Sequence, residues 1–141
     1  MTHKIALIPG DGIGREVLPQ GVKVLEHLAK RHGFTLSFTE FPYSCERYLR
    51  DGVMMPPDGM EKLKAFDAIF LGAVGSPDVP DHVSLWELLI PIRRAMQQYV
   101  NVRPVRLLPG VSSPLTGRTA KDIDFVIVRE NNEGEYSQTG G

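Results

Sequence analysis

KIALIPGDGIGREVLPQGVKVLEHLAKRH, residues 4–32, decides the fold. Lys4 to Pro9 is a short apolar run closed by Pro-Gly, the pattern of a buried strand. A helix follows from about Arg15 to His32, with Leu18, Val22, Leu25 and Ala29 on one face. Pro19 falls near its first turn, where a missing N–H is tolerated, and Gly33 ends it. Between strand and helix stands GDGIG, Gly10 to Gly14. A dinucleotide fingerprint needs a third glycine where this chain has Arg15. It also needs an acidic residue about twenty positions further on, and Thr35 to Phe38 has none. The glycines are therefore read as a tight strand-to-helix turn.

The pattern then repeats. Phe34, Leu36 and Phe38 alternate with Thr35, Ser37 and Thr39, which predicts a strand with one wet face. Ser44 to Asp51 reads as a short helix, and Pro56-Pro57-Asp58 opens another that passes through Met60 and Leu63 to about Phe66. Asp67 to Gly72, DAIFLG, is a third strand. A β-α-β-α-β order predicts an α/β fold with a mainly parallel sheet, flanking helices and right-handed crossovers. The third strand opens into GAVGSPDVPDHVS, at the end where open sheets bind ligands. There Ala73, Val74 and Gly75 are small enough to let backbone approach a flat ring, although a plain connecting loop fits the same residues. Asp78, Asp81 and His82 have a spacing compatible with a metal site, but loop carboxylates before a helix ordinarily cap it or face water.

From Ser84 to Tyr99 the residues Leu85, Leu88, Leu89, Ile92, Met96 and Tyr99 form one apolar stripe, with Ser84 as N-cap and Pro91 as a kink or a break. Arg93 sits at the margin of that stripe beside Trp86, and Arg94 points nearly opposite, into solvent. A guanidinium at a core margin either pairs with a structural carboxylate or grips a ligand's carboxylate with its planar fork. Two further arginines lie on extended segments. Val100 to Leu107 is extended, with Val100 and Val102 on one face, Asn101 and Arg103 on the other, and Pro104 confining it to a sheet edge. Ile123 to Val128 is an apolar strand that runs out at Arg129 and Glu130. Three cations on three elements suggest a pocket for a small polyanion. Tyr136, beyond the polar turn ENNEGE, is either packing or a general acid whose pKa cationic neighbours would lower.

Sixteen basic against seventeen acidic residues leave a net charge of −1, which gives no footprint for nucleic acid. With 42% apolar and 23% charged residues, the 141-residue chain is about one domain of ordinary globular composition. No run approaches membrane-spanning length, and MTHKIALIPG lacks a signal-peptide core, so the cytoplasm is the default expectation. A single cysteine, Cys45, excludes an internal disulfide and a cysteine-based metal cluster; it is read as a partly buried apolar residue.

The runs IALIPGDGIG (5–14), IRRAMQQYVNVRPVR (92–106) and VIVRENNEGEY (126–136) together resemble the β-decarboxylating dehydrogenases, the isocitrate and isopropylmalate dehydrogenase family. Within that family, SLWELLIPIRR (84–94) and RENNEGEYS (129–137) are most similar to the branch acting on tartrate and D-malate. The resemblance implies the family's fold, incomplete here. Residues 1–99 would be the N-terminal part of the larger, cofactor-side lobe, and 100–141 the start of the smaller one. It implies that Arg93, Arg103 and Arg129 bind the carboxylates of a small 2-hydroxy dicarboxylate, that Tyr136 protonates the carbon left by decarboxylation, and that Leu89 lies where substrates are told apart. Ile13, Ala73, Val74 and Gly75 would neighbour NAD.

Other implied partners are Mg or Mn, with K as an optional monovalent cation, and a second copy of the chain in a full-length homodimer. The metal-binding aspartates, catalytic lysine and adenosine loop of the family are expected beyond Gly141. No metal ligand is assigned within the chain, and neither nucleic acid nor membrane is expected as a partner. Two other readings stay open beside that of an NAD-dependent dehydrogenase. One is a truncated, inactive piece with exposed sheet edges, and the other a stand-alone module that binds small anions.

Overall fold

The computed structural model describes residues 2–134 and Ser137. The chain forms two compact units, Met1–Met96 and Gln97–Gly141. In the first unit, β1 (Thr2–Gly10), α1 (Ile13–His32), β2 (Thr35–Glu40), α2 (Cys45–Asp51), α3 (Gly59–Lys64) and β3 (Ala68–Ala73) follow one another in the predicted order. The strands form a parallel sheet in the order β2-β1-β3. The central strand is the most apolar, and Ala6 and Ile8 on it are fully buried. On the edge strand β2 only Leu36 and Phe38 are half-buried while their neighbours are exposed, as the alternation requires.

Local chemistry places the helix ends. The Ser44 hydroxyl accepts the Arg47 N–H at 3.1 Å and caps α2, and Gly33 closes α1 in the left-handed conformation at φ 73°. On α1, Leu18 and Ala29 are buried and Val22 and Leu25 half-buried. The core joins Ala6 and Ile8 to Tyr43, Met54 and Leu63, and to Val83, Leu88 and Ile92 from the next helical segment. Cys45 is fully rather than partly buried there.

That next segment departs from the expected single helix. It starts at α4 (Asp81–Ser84), widens into a π-helical turn at Leu85–Leu89 and returns to α5 (Ile90–Ala95). Pro91 is the physical cause, because it offers no N–H to the Glu87 carbonyl and its ring crowds that carbonyl. The preceding N–H, that of Ile90, bonds instead to Leu85 five residues back. The wider turn keeps Ser84, Leu88 and Ile92 buried in one row at four-residue steps. Ser84 is consequently an interior residue, not the N-cap; its hydroxyl donates to the Asp81 carbonyl at 3.0 Å. Tyr99 leaves the expected stripe, at 66% exposure, because the helix ends before Gln97, whose φ of 52° turns the chain away.

In the second unit, β4 (Val100–Arg106) and β5 (Asp124–Glu130) pair antiparallel, with Asn101 opposite Arg129 and Arg103 opposite Ile127. Val102, Val126 and Val128 on one face and Phe125 and Ile127 on the other are all exposed. The buried Asn131 amide donates to the Gln98 carbonyl at 3.0 Å and ties the end of this ribbon to its beginning.

Candidate active site

The chain leaves β1 toward β2 on one side and returns to β3 on the other. The strand order thus reverses at β1 and β3, which stay paired as far as Gly10 and Ala73, and the carboxyl end of such a switch point is where ligands bind open parallel sheets. Two glycines let the chain segments there meet. A Cβ on Gly10, which also has φ 72°, would collide with the Ala73 carbonyl, and one on Gly14 would collide with the Pro9 carbonyl and the Ala73 nitrogen. The GDGIG turn is thus pressed against Ala73–Gly75, and two regions that the sequence reading connected only through the family resemblance are neighbours.

Asp11 fastens that junction. Its N–H donates to the Ala73 carbonyl at 2.6 Å, and its buried carboxylate accepts the N–H groups of Cys45 (3.0 Å), Glu46 (3.2 Å) and Gly75 (3.2 Å). Burial alone would raise the Asp11 pKa, but the three N–H donors outweigh it and hold the carboxyl below the ordinary aspartate value. Burial, reinforced by the nearby Asp11 charge, pushes the Cys45 thiol up to about 11. Asp11 is not legible as a functional residue in the sequence. Its only local signal was an acidic residue between two glycines at the end of a buried strand.

A cleft of about 390 Å³ opens beside this junction, lined by Asp11, Gly12, Arg15, Glu46, Gly75 and Ser76 among others. Arg15, noted in the sequence only as the residue that breaks the fingerprint, ion-pairs with Glu46 and donates from Nε to the Gly10 carbonyl at 3.2 Å. Ile13 stands at the start of α1, 59% exposed. Val74 is half-buried against the core, while Gly75 has open space on the side where a Cβ would project. A cradle of small residues and bare backbone suits a flat dinucleotide ring. Among the described residues no group of three His, Cys, Asp or Glu side chains is placed to hold a metal ion.

Leu89 and Arg93 lie one turn apart on the segment that leaves this loop, both half-buried. Arg94 is not the plain solvated charge expected. Its guanidinium lies 5.3 Å from the Trp86 ring centroid, in cation–π geometry, and the residue is half-buried. In a straight α-helix the residue seven positions on, Arg93, would lie above Trp86. The extra residue in the π turn brings the eighth there instead. In the second unit, the strand register puts Arg103 and Arg129 on the same face of the ribbon as diagonal neighbours. Arg103 is exposed, with Nε 3.4 Å from the Asn101 side-chain oxygen, and Arg129 is half-buried. Arg93 belongs to the first unit and Arg103 and Arg129 to the second. Tyr136 lies outside the described residues.

Comparison with known proteins agrees with this architecture. The family model described as isocitrate/isopropylmalate dehydrogenase matches residues 4–140. The chain is 60% identical over 142 residues to D-malate dehydrogenase [decarboxylating] of Escherichia coli strain K12, covering 99% of this chain and 39% of that protein. It is 59% identical to the tartrate dehydrogenase/decarboxylase of Pseudomonas putida, with the same coverage. Among solved structures it is similar to the isocitrate dehydrogenase of Methylococcus capsulatus, with a TM-score of 0.73 and 30% identity over 95% of this chain and 36% of that one. The β-decarboxylating dehydrogenase of Thermococcus kodakarensis gives a TM-score of 0.63 at 29% identity, over 94% of this chain and 35% of that one. The chain thus spans about two fifths of the length of the curated relatives it matches. From residue 4 to residue 140, on sheet order, glycine turn and sequence alike, it belongs to the isocitrate/isopropylmalate dehydrogenase family.

Proposed function

We propose that this chain supplies part of the cofactor wall and the carboxylate-binding side chains of an enzyme that oxidises a small 2-hydroxy diacid, D-malate or tartrate, with NAD, with or without decarboxylation. The observation that carries the reading is the cleft at the carboxyl ends of β1 and β3, lined by Asp11, Gly12 and Gly75, on a chain 60% identical to a D-malate dehydrogenase. Bound there, NAD would supply the hydride acceptor. Ala73 and Gly75 admit the ring by lacking bulk, and Ile13 offers it an apolar edge. Arg93, Arg103 and Arg129 each present a planar fork suited to bidentate binding of a carboxylate. Leu89, one turn before Arg93, sets the apolar limit felt by the group on the neighbouring carbon. Tyr136 is the proton donor to the carbon left after decarboxylation.

Mg or Mn, and K where it is used, would complete the cofactor set, held by side chains other than those named above. A homodimer in the cytoplasm, with neither nucleic acid nor membrane as partner, completes the proposal. A net charge of −1 supports the first exclusion. For the second, no helix among the described residues is long and apolar enough to cross a membrane.

The test is NADH formation with D-malate, tartrate and manganese. It is run on the purified chain and on a chimera in which this chain replaces the matching segment of the E. coli enzyme. Turnover by the chimera is expected. A folded chimera that oxidises neither acid refutes the proposal, and diacid binding by the chain together with a folded, inactive chimera would favour the small-anion module.

A further inference from the structure

We propose that Asp11 is a positioning residue, whose carboxylate holds the Gly75 backbone in the place that a dinucleotide ring requires by tying it to the start of α2. This deepens the NAD reading and rests on it. One residue clamps the loop after β3 at two points, Ala73 through its backbone N–H and Gly75 through its side chain. The same carboxylate reaches the Cys45 and Glu46 N–H groups, so three chain segments up to 64 residues apart meet on one anion.

The geometry separates holding from contacting. Gly75 turns its N–H toward Asp11, which is 8% exposed, and keeps its other side open. Gly75 has φ 155°, in the region open to glycine, so its backbone does not hold that conformation by local preference and needs an outside anchor. Arg15 does not compete for the carboxylate, since it pairs with Glu46 and the Gly10 carbonyl. All three acceptances come from backbone N–H groups, and Oδ2 takes both Cys45 and Gly75. A carboxamide of the same shape offers one acceptor oxygen, and its NH2 must face an N–H donor.

Asp11→Ala is the test, made in the chimera that carries this chain within the E. coli enzyme, with NAD and D-malate as probes. Without the carboxylate the Gly75 N–H loses its acceptor, so its amide hydrogen exchange should rise at least about tenfold, and NAD affinity should fall about tenfold, the usual cost of one lost hydrogen bond to a charged group. D-malate affinity should stay within about twofold. Asp11→Asn, whose one oxygen can stand in the Oδ2 place and keep Cys45 and Gly75 while its NH2 meets only the Glu46 N–H, should recover most of the NAD affinity. If Asp11→Ala does not fold, the comparison of Asp11→Glu with wild type carries the test, with NAD weakened and D-malate unchanged. Unaltered Gly75 exchange in the Ala variant overturns the proposal, and so does an equal loss of both ligands, which would mark a purely structural role. A folded wild-type chimera that fails to bind NAD overturns the functional reading and this proposal with it. Accelerated Gly75 exchange in the Ala variant would then still show the clamp as a structural tie, so the two failures are distinguishable.

Discussion

Gly14→Ala measures how tightly the β1–β3 junction is built. Gly14 is the second residue of α1, and its missing side chain faces the Pro9 carbonyl and the Ala73 backbone. Ordinary contact would require these atoms to back off by about 1 Å. Neither group is free to move. Gly10 pairs with Ala73 in the β1–β3 ladder, and the Ala73 carbonyl also accepts the Asp11 N–H. Relief must come from lifting α1 off the sheet. Overpacking of this kind costs about 1–3 kcal/mol, and rigid backbone neighbours put it at the upper end, about 3 kcal/mol. For a unit of this size that is a fall in Tm of about 10–20 °C. Gly33→Ala is the control, since φ is 73° there but a Cβ would meet nothing within 4 Å. It carries only the left-handed backbone penalty of about 1 kcal/mol. Urea denaturation of both variants, with unchanged m values, makes the comparison. A loss for Gly14→Ala no greater than for Gly33→Ala would refute the close-packed junction.

Three further outcomes follow from the same structure. In diacid binding by the chimera, Arg93→Ala should lose at least about tenfold while Arg94→Ala stays within about twofold and instead loses about 0.5–1 kcal/mol of stability with its Trp86 contact; equal effects on binding would remove Arg93 from the site. The Cys45 thiol, raised from 9.0 to about 11, should resist alkylation at pH 8 in the folded chain and react once denatured. Because the folded value is the higher one, its contribution to stability is complete below about pH 9 and disappears as pH rises toward 11, so a flat stability profile through that window would contradict it. Gln97→Gly should gain about 0.5 kcal/mol by relieving a φ of 52°, read as a higher urea midpoint, and a loss would show that its side chain has a role.

Much of the first unit was legible in the residues because its signals are local. Apolar runs bounded by Gly and Pro placed β1 and β3, the two-residue alternation of Phe34–Thr39 placed β2, and Ser44 marked the start of α2. Ser84 misled because a serine before an apolar period reads as a cap, whereas Pro91, seven residues later, acts backward on the Glu87 carbonyl and widens the turn between them. That same turn moved Trp86 from Arg93 to Arg94, a change of partner that helical periodicity alone does not contain.

The sequence by itself determined the order of strands and helices, the chemistry of their ends and, through its motifs, the family. Tertiary structure alone decided that β1 lies between β2 and β3, that Gly14 touches Ala73, and that one carboxylate serves Cys45, Glu46 and Gly75. Propensity and period act over a few residues, whereas a buried anion is satisfied by whichever N–H groups the packed chain delivers to it, here 34 to 64 residues away.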